Sequence, residues 1–387
     1  MFRKLFCISL LVAAVIYSGV LLWARAAPSP QTVSSKSTFR PALPGYQFSF
    51  PRDHGAHPAF QTEWWYYTGH LQATDGTQLG YELTFFRYGL IPQQPPGRSA
   101  WAVRDVDFAH FAITDQTHQK YFYSDRMERA NMGLAGTEAG KVLLLPRLWI
   151  DNWSLQFKGN RGNTQILQAS GTAQNQDGHL PMSIHLTQQA IKPPVINGQN
   201  GISKKGPSAN AASHYYSMPR LATRGELTLG KTRYQVSGQS WLDREFGSGG
   251  LSPGQNGWDW FAIQLDDGRD LMLYQIREKG GLPGPYSAGT LTDKNGKSTF
   301  ITREDFKIAV TQWWKSPHTG ARYPAAWKID VPRYHLSLNI TPTVADQEMR
   351  PRHENTVYWE GSCRVAAAGK STFTPLGKAY VELTGYH

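Results

Sequence analysis

Along most of the chain, short aromatic and β-branched runs alternate with Gly, Asn and Asp turns, and almost no helical periodicity is present. This pattern predicts strands. The stretch QTEWWYYTG at residues 61–69 places four large aromatic side chains in a row behind a carboxylate. Because successive side chains of a strand point to opposite faces, Trp64 and Tyr66 share one face, and Trp65 and Tyr67 share the other. Bulky rings cover both faces, so one face is a candidate to line a cavity.

Tight turns join these runs into hairpins. Asp75-Gly76, Asp267-Gly268 and Asn295-Gly296 each lie between two strand-like runs. Dipeptides of this type supply the positive φ that a tight hairpin turn needs. The sequence therefore predicts an antiparallel, all-β chain of hairpins.

The aromatic hairpin occurs twice. Residues 64–87 and residues 258–277 each have paired aromatics, a strand, an Asp-Gly turn and a strand that ends in Arg. The repeat predicts two similar β-domains in tandem. A Gly-rich segment, FGSGGLSPGQNG, places the boundary between them near residue 245. We therefore predict an N-terminal domain over residues 45–245 and a C-terminal domain over residues 246–387.

The N-terminal segment is expected to direct the chain out of the cytoplasm. Residues 1–26 combine Arg3 and Lys4 with a long apolar run and a final Ala-Arg-Ala. That order is typical of a secretory signal peptide, although the run nearly reaches the roughly 20 residues that span a bilayer. The segment is either a cleaved signal peptide or an uncleaved membrane anchor, and both alternatives predict a periplasmic or secreted protein. Residues 27–44 are rich in Pro and Ser, which is typical of a linker.

Charge and cysteine content exclude some classes of protein. The chain has 40 Lys and Arg against 29 Asp and Glu, a formal net charge of +11, but its basic residues are dispersed. No nucleic-acid-binding stripe is present, so no nucleic-acid partner is predicted. Cys7 lies in the N-terminal segment, which leaves Cys363 alone in an exported, cleaved chain. The core must then stabilise the fold without an intramolecular disulfide.

Two motif matches fail on chemical grounds. The stretch GLSPG at residues 250–254 fits the G-x-S-x-G nucleophile elbow. However, Pro253 follows the serine and has no N–H for an oxyanion hole. The Gly-Lys-Ser triplets at residues 296–298 and 369–371 lack the earlier Gly of a phosphate loop.

A metal site is also considered and not predicted. Residues 53–57, DHGAH, bring two histidines and an aspartate close to Glu63. Hydrogen bonds within a turn explain the same residues more simply than metal coordination does. Glu63 is most simply a partner for Arg52 or Arg87.

Long motifs make the chain similar to a known family. The relevant stretches are FPRDHGAHPAFQTEWWYYTGHL, HYYSMPRL, SGQSWLDREFG and GWDWFAIQLDDGRDLMLYQIR. They resemble the AttH-like branch of the carotenoid 1,2-hydratase (hydroxyneurosporene synthase) superfamily, and the resemblance covers nearly all of residues 47–387. It implies two tandem lipocalin-like antiparallel β-barrel domains, in agreement with the hairpins and the repeat.

The resemblance also implies a function and a site. Family members include hydratases that add water to a terminal prenyl double bond. AttH-like members are often associated with ABC export systems, so components of an ABC exporter are expected partners. The acid–base set of the hydratases is a His-x-Trp pair followed by a Tyr-x-Asp pair. His214 and Tyr216 match the first pair, and Trp241 and Asp243 match the second, with the Trp and the Tyr exchanged.

These residue types suit the hydration of an alkene. Protonation of a C=C bond makes a carbocation, so the proton donor must be a strong acid that is held neutral. A carboxyl among aromatic rings loses its hydration, which raises its pKa; Asp243 is the predicted acid and His214 the predicted base. Aromatic faces stabilise a cation by about 0.5–2 kcal/mol each, and no redox or metal cofactor is required. The predicted ligand-binding residues are Trp64, Trp65, Tyr66, Trp258 and Trp260.

Two functions remain open. One is a hydratase or isomerase that acts on an alkene-bearing isoprenoid or lipid. The other is a non-catalytic periplasmic carrier or chaperone that works with an exporter, and a scaffold with a vestigial pocket is a third alternative. An Asp243 that faces a cavity within reach of His214 favours the enzyme, whereas an ion pair with Arg244 favours the carrier. Trp241, Trp260 and His214 could equally be structural core residues.

Overall fold

The computed structural model describes residues 38–93, 99, 101–138, 145–175, 180–354, 356–369, 372 and 374–387. The predicted signal peptide or anchor at residues 1–26 lies outside the described residues, as does the predicted linker up to residue 37. The described residues from Phe39 to His387 belong to one compact unit. Within the described part of the chain, no helix has the length and apolar character needed to cross a bilayer.

Thirteen strands of the described chain form the first sheet. They are β1 Thr62–Ala73, β2 Gln78–Gly89, β3 Asp105–Asp115, β4 Lys120–Arg129, β5 Ala135–Glu138, β6 Arg147–Ile150, β7 Trp153–Lys158, β8 Thr164–Thr172, β9 Pro181–Ala190, β10 Val195–Ile196, β11 Ser203–Lys204, β12 Ala212–Leu229 and β13 Thr232–Gly247. Their order is β4-β3-β2-β1-β13-β12-β9-β8-β7-β6-β5, and the short β10 and β11 pair with β12.

Ten further strands form the second sheet. They are β14 Gln255–Leu265, β15 Asp270–Glu278, β16 Ala288–Thr292, β17 Ser298–Ile301, β18 Lys307–Lys315, β19 Arg322–Val331, β20 Leu336–Pro342, β21 Glu348–Met349, β22 Tyr358–Ala367 and β23 Pro375–Thr384. Their order is β17-β16-β15-β14-β23-β22-β20-β19-β18, and β21 pairs with β22. Short 3₁₀ helices cover Arg52–His54, Asn160–Gly162, Arg303–Asp305 and Pro332–Tyr334.

The two sheets share one plan. In each sheet the first strand pairs with both the second and the last: β1 with β2 and β13, and β14 with β15 and β23. Both sheets are antiparallel and curl into barrel or half-barrel shapes. This confirms the predicted all-β class with two tandem lipocalin-like barrels. The two aromatic hairpins of the sequence repeat, β1–β2 and β14–β15, occupy equivalent positions.

Glycine makes the predicted hairpin turns. Gly76 has a φ of +93°, Gly268 of +88° and Gly296 of +89°. Side chains other than glycine rarely adopt this region, because the Cβ atom crowds the backbone there. The Asp-Gly and Asn-Gly pairs therefore fix where the strands reverse.

Large side chains fill the interiors of both barrels, so each barrel has a packed core. The first core includes Trp65, Tyr67, Phe85, Phe111 and Trp153. The second core includes Phe261, Tyr323, Trp327, Ile340 and Trp359. A third group, the interface cluster, lies between the sheets and includes Tyr66, Tyr215, Trp241, Trp260, Tyr274 and Tyr380. Full burial of a large apolar side chain stabilises the fold by about 1.5–3 kcal/mol. Packing of the two cores is therefore the main stabilising contribution to the two barrels.

The chain passes from one sheet to the other between Gly247 and Gln255. The predicted boundary near residue 245 falls within β13. The division into domains over residues 45–245 and 246–387 stays a prediction.

Candidate functional site

A cavity of about 470 Å³ lies between the two sheets. The first sheet contributes Trp64, Tyr66 and Asp243 to its lining, and β14 of the second sheet contributes Trp258 and Trp260. Small-molecule sites in proteins span roughly 300–1,000 Å³ and are mostly apolar with a few placed polar groups. The cavity therefore has the size and character of a site for one small apolar molecule.

Strand alternation decides which aromatic residues reach the cavity. Trp64 and Tyr66 of β1 line it, whereas Trp65 and Tyr67 point into the first core. Trp65, predicted from the sequence as a ligand-binding residue, therefore does not line the cavity. Its ring packs 3.7 Å from the Arg244 guanidinium, and its indole N–H donates to the His54 carbonyl at 2.8 Å.

Asp243 faces the cavity and accepts three hydrogen bonds. On β13 it stands opposite Tyr66 of β1 and Ser217 of β12, and these residues share one face of the sheet. The Ser217 hydroxyl donates to Oδ1 at 2.5 Å and the Trp241 indole N–H donates to the same oxygen at 2.6 Å. The Tyr215 hydroxyl donates to Oδ2. The carboxyl is thus held in one orientation beside the aromatic lining.

No basic side chain forms a salt bridge with Asp243 in the described part of the chain. Burial raises the pKa of Asp243 to about 7, although the hydrogen bonds from Ser217, Tyr215 and Trp241 act to lower it. Arg244, the neighbour in sequence, points to the other face of the sheet and pairs with Glu63. Asp243 and Arg244 therefore do not form the ion pair that would favour the carrier. A carboxyl with this pKa carries a proton in a large fraction of molecules near neutral pH.

His214 and Tyr216 do not join Asp243, which corrects the predicted catalytic set. In the β12–β13 register, Ser217 stands opposite Asp243 and His214 opposite Phe246, so even-numbered residues share the other face. His214 stacks on Tyr46 with 4.4 Å between ring centroids, and burial lowers its pKa to about 4. This neutral, buried ring is a structural histidine.

Tyr216 belongs to the first core, and its hydroxyl lies 2.6 Å from Nδ1 of His54. Trp241 does lie with Asp243, to which it donates a hydrogen bond. Its ring packs edge-on against Trp260 in the interface cluster. Of the four predicted catalytic residues, the structure brings together only Trp241 and Asp243.

Tyr215 and Ser217 contact Asp243 in the positions expected for His214 and Tyr216. Neither was predicted from the sequence as a site residue, although Tyr215 lies between the two predicted residues. Its hydroxyl accepts a hydrogen bond from the Trp260 indole at 3.1 Å and donates to Asp243. This chain of bonds links the second sheet to the carboxyl. Strand alternation could have identified them, because side chains on one face of a strand are two residues apart.

Further carboxyls surround the cavity. Glu382 of β23 accepts a hydrogen bond from the Trp258 indole at 3.0 Å, and burial, together with the other carboxyls, raises its pKa to about 7. Tyr66 of the first sheet donates to Glu360 of the second at 2.5 Å, and Tyr358 of the second donates to Glu82 of the first at 3.2 Å. The two sheets thus exchange tyrosine–glutamate bonds across the interface.

Burial raises the pKa of Glu82 and raises that of Glu360 well above its usual range. Next to Asp243, Glu245 is ion-paired with Lys205 at 3.2 Å. The site therefore combines aromatic faces with carboxyls whose pKa burial raises and with one carboxyl that is ion-paired.

The residues of the rejected metal motif form an ion-pair network. Glu63 accepts hydrogen bonds from Arg87, from Arg244 and from the His57 backbone N–H. Burial alone would raise its pKa, but the guanidiniums of Arg244 and Arg87 hold the pKa below its usual range. Arg87 was one of the two partners proposed from the sequence. Arg52 instead pairs with Asp53 at 2.6 Å.

The fold and the site define a two-barrel β-protein with an aromatic, carboxyl-lined cavity between its barrels. The AttH-like family matches residues 41–386, and the chain therefore belongs to the AttH-like family. This finding confirms the resemblance stated from the sequence motifs.

Solved structures of similar proteins share this architecture. A Nitrosomonas europaea protein assigned to AttH is 32% identical, with a TM-score of 0.77 over 90% of this chain and 99% of that one. Kievitone hydratase from Nectria haematococca is 13% identical, with a TM-score of 0.62 over 87% of this chain and 93% of that one, a likeness of fold.

A sequence relative with a curated name is the dehydratase asqC of Emericella nidulans. It is 24% identical over 183 residues, which cover 46% of this chain and 50% of the relative. The chain thus spans about half the length of the curated relative it matches. Hydratases and dehydratases are therefore among the proteins to which this chain is similar.

Proposed function

We propose that this protein is a hydro-lyase, a hydratase or dehydratase, that acts by acid catalysis on the C=C bond of an apolar isoprenoid or lipid-like molecule. The molecule binds in the cavity between the barrels. The observation that supports this proposal best is Asp243, a buried carboxyl that faces the cavity, forms no salt bridge among the described residues and has a pKa of about 7. The names of the hydratase and dehydratase relatives point to the same chemistry.

In the proposed reaction, protonated Asp243 donates its proton to one carbon of the alkene. The C=C electron pair forms the new C–H bond, and the neighbouring carbon becomes a cation. The faces of Trp64, Tyr66 and Trp260 stabilise that cation by roughly 0.5–2 kcal/mol each. Water then forms the C–O bond. Dehydration is the same sequence in reverse.

Glu382 takes the role of base that the sequence assigned to His214. It lines the cavity, and its pKa of about 7 leaves it ionised in part of the molecules near neutral pH. Its carboxylate accepts the proton that the attacking water loses. Two carboxyls of similar pKa in one cavity suit an acid–base pair, because ionisation of one disfavours ionisation of the other.

Export and partners belong to the proposal as well. The sequence of residues 1–26 supports a site of action outside the cytoplasm, periplasmic or secreted. The family resemblance supports components of an ABC exporter as partners, and an uncleaved N-terminal segment would attach the protein to the membrane.

The reaction is tested with isoprenoid probes: farnesol, squalene and a prenylated phenol. Each is incubated with the purified protein in ¹⁸O-labelled water, and mass spectrometry detects the gain of one labelled water. Asp243→Asn should lower the rate by roughly 10²–10⁴-fold, the usual contribution of a positioned acid, and leave probe affinity nearly unchanged. An unchanged rate would remove Asp243 from the mechanism.

Asp107→Asn is the matched control. Asp107 is also a buried aspartate, and burial raises its pKa to about 7. It stands opposite Arg87 on the other face of the sheet from Glu82, so its replacement should leave turnover unchanged. Native mass spectrometry follows binding in parallel. Probes that are bound but never converted would support the carrier instead of the enzyme.

A further inference from the structure

We propose that Glu82, Tyr358, His110 and Glu354 form a proton relay between the cavity and the solvent, and that Glu82 is a second proton-exchanging carboxyl of the site. The role in turnover rests on the proposed function. The relay itself does not, because it is defined by hydrogen bonds within the described chain.

The four side chains form an unbroken series of hydrogen bonds. The Tyr358 hydroxyl lies 3.2 Å from Oε1 of Glu82 and 2.6 Å from Nδ1 of His110. The other ring nitrogen of His110, Nε2, lies 2.5 Å from Oε1 of Glu354. Both contacts of His110 are short enough for direct proton transfer, whereas the 3.2 Å contact between Tyr358 and Glu82 is long for an O–H···O bond and must shorten when a proton passes. The series crosses the interface, because Glu82 and His110 belong to the first sheet and Tyr358 to the second.

The two ends of the series differ in environment. Glu82 lines the cavity and is buried, and its Oε2 atom has no hydrogen-bond partner among the described residues. The carboxyls that interact electrostatically with it are Glu360 and Glu382. Glu354 reaches solvent with 17% of its side chain exposed. His110, between them, is 2% exposed and packs against the Phe86 ring.

Proton movement along the series balances at every link. The Tyr358 O–H donates to Glu82 when Glu82 is ionised. When Glu82 is protonated, its O–H donates to the Tyr358 oxygen instead, and the Tyr358 O–H donates to Nδ1 of His110. A shift outward passes the Glu82 proton to Tyr358, the Tyr358 proton to Nδ1, and the Nε2 proton to Glu354. One proton leaves the cavity, one arrives at the surface, and His110 changes tautomer. The inward shift is the reverse, and no other reactant is needed.

Buried catalytic carboxyls need a route by which they exchange protons with the solvent. Hydration moves a proton from Asp243 to carbon and releases another from water, so each turnover leaves the cavity carboxyls in a changed protonation state. Asp243 and Glu82 are themselves buried, with 3% and 1% of their surface exposed, so these carboxyls have little direct contact with bulk water. A path through Glu82 restores the starting state by exchange with solvent. The same four residues also bind the two sheets to each other, so a purely structural role is the alternative that must be separated.

Infrared spectroscopy after a pH jump separates the two roles without any substrate. The carboxyl band of Glu82 is assigned by its loss in Glu82→Gln, and its rise or decay reports proton exchange. Tyr358→Phe and His110→Phe should slow this exchange roughly 10²-fold, because each removes one link. Tyr121→Phe is the matched control: Tyr121 packs in the same cluster as Tyr358, and its hydroxyl has no partner among the described residues.

Glu354→Gln at the exposed end should slow the exchange too, and it keeps the test decisive if an internal variant does not fold. An exchange rate that is unchanged in Tyr358→Phe or Glu354→Gln overturns the relay, as does the absence of any band lost in Glu82→Gln. With a converted probe, imidazole should restore turnover in His110→Ala, where it can enter the vacated space, but not in Asp243→Asn. Loss of turnover in Asp243→Asn together with unchanged exchange leaves the proposed function standing and rejects only the relay.

Discussion

Glu63 and Asp243 are buried carboxyls on the paired strands β1 and β13, and they lie on opposite faces of the sheet. Glu63 shares the face of Trp65 and contacts two guanidiniums, which hold its pKa below the usual range. Asp243 contacts a phenol, a serine hydroxyl and an indole, and burial raises its pKa to about 7.

The comparison shows that burial alone does not set the charge of a carboxyl. Burial disfavours the ionised form at both sites, since both lose hydration. Cations reverse that effect at Glu63, whereas three neutral donors only weaken it at Asp243. Arg244, the sequence neighbour of Asp243, supplies one of those cations to Glu63 because alternation sends the two adjacent side chains to opposite faces.

The same chemical change, carboxyl to amide, should have unequal effects on stability at the two sites. Glu63→Gln leaves the buried guanidiniums of Arg87 and Arg244 without their shared anion, which is expected to lower the free energy of unfolding by about 3–5 kcal/mol. Asp243→Asn should not lower it at pH 7, since an amide fits among neutral hydrogen-bond partners and removes a carboxyl whose ionisation burial disfavours. Urea unfolding at pH 7 measures both. Equal losses would show that charge pairing does not distinguish the two sites.

The pH dependence of stability should have opposite sign at the two sites. The folded pKa of Asp243 is raised from 3.8 to about 7. Its contribution is therefore complete below pH 3.8 and is lost as the pH rises to 7, at about 1.4 kcal/mol per unit. The folded pKa of Glu63 is lowered from 4.5, so its contribution is complete above that pH and is lost as the pH falls.

Unfolding free energies of wild type minus Asp243→Asn, measured between pH 4 and 8, should fall and then level off. The same difference for Glu63→Gln should stay flat from pH 8 down to about 5 and decline at lower pH. A flat difference for Asp243→Asn would place its pKa near the ordinary value and remove the basis for an acid catalyst.

The smallest expected effect concerns Tyr215. Tyr215→Phe removes a hydrogen bond that favours the ionised form of Asp243, so the pKa of Asp243 should rise further, by about one unit for a loss of about 1.4 kcal/mol. The alkaline limit of turnover should move up by the same amount, and ¹³C NMR of the aspartate carboxyls measures the shift directly. Tyr67→Phe is the control, because the buried Tyr67 hydroxyl has no partner among the described residues. A downward shift in Tyr215→Phe contradicts the assignment.

Sequence periodicity and turn chemistry determined the architecture. Asp-Gly and Asn-Gly turns fix strand reversals locally, and aromatic runs of period two cannot form surface helices. The repeated aromatic hairpin and the long family motifs led to two tandem lipocalin-like barrels, which the structure confirms. Trp64, Tyr66, Trp258 and Trp260 were named from their position in those strands, and all four line the cavity.

Only the tertiary structure decided which side chains meet. The partner of Asp243 depends on the β12–β13 register, and a register shift of one residue would have exchanged Tyr215 for Tyr216. Glu82 and Glu382 reach the cavity from strands far apart in the chain, and nothing local marks them. The hydrogen-bond partners of Asp243 come from β12 and β13 of its own sheet, whereas the second sheet brings Glu382 and Trp260 to the cavity. The sequence by itself therefore determined the strands and the fold, and the strand register together with the contact between the barrels decided the chemistry.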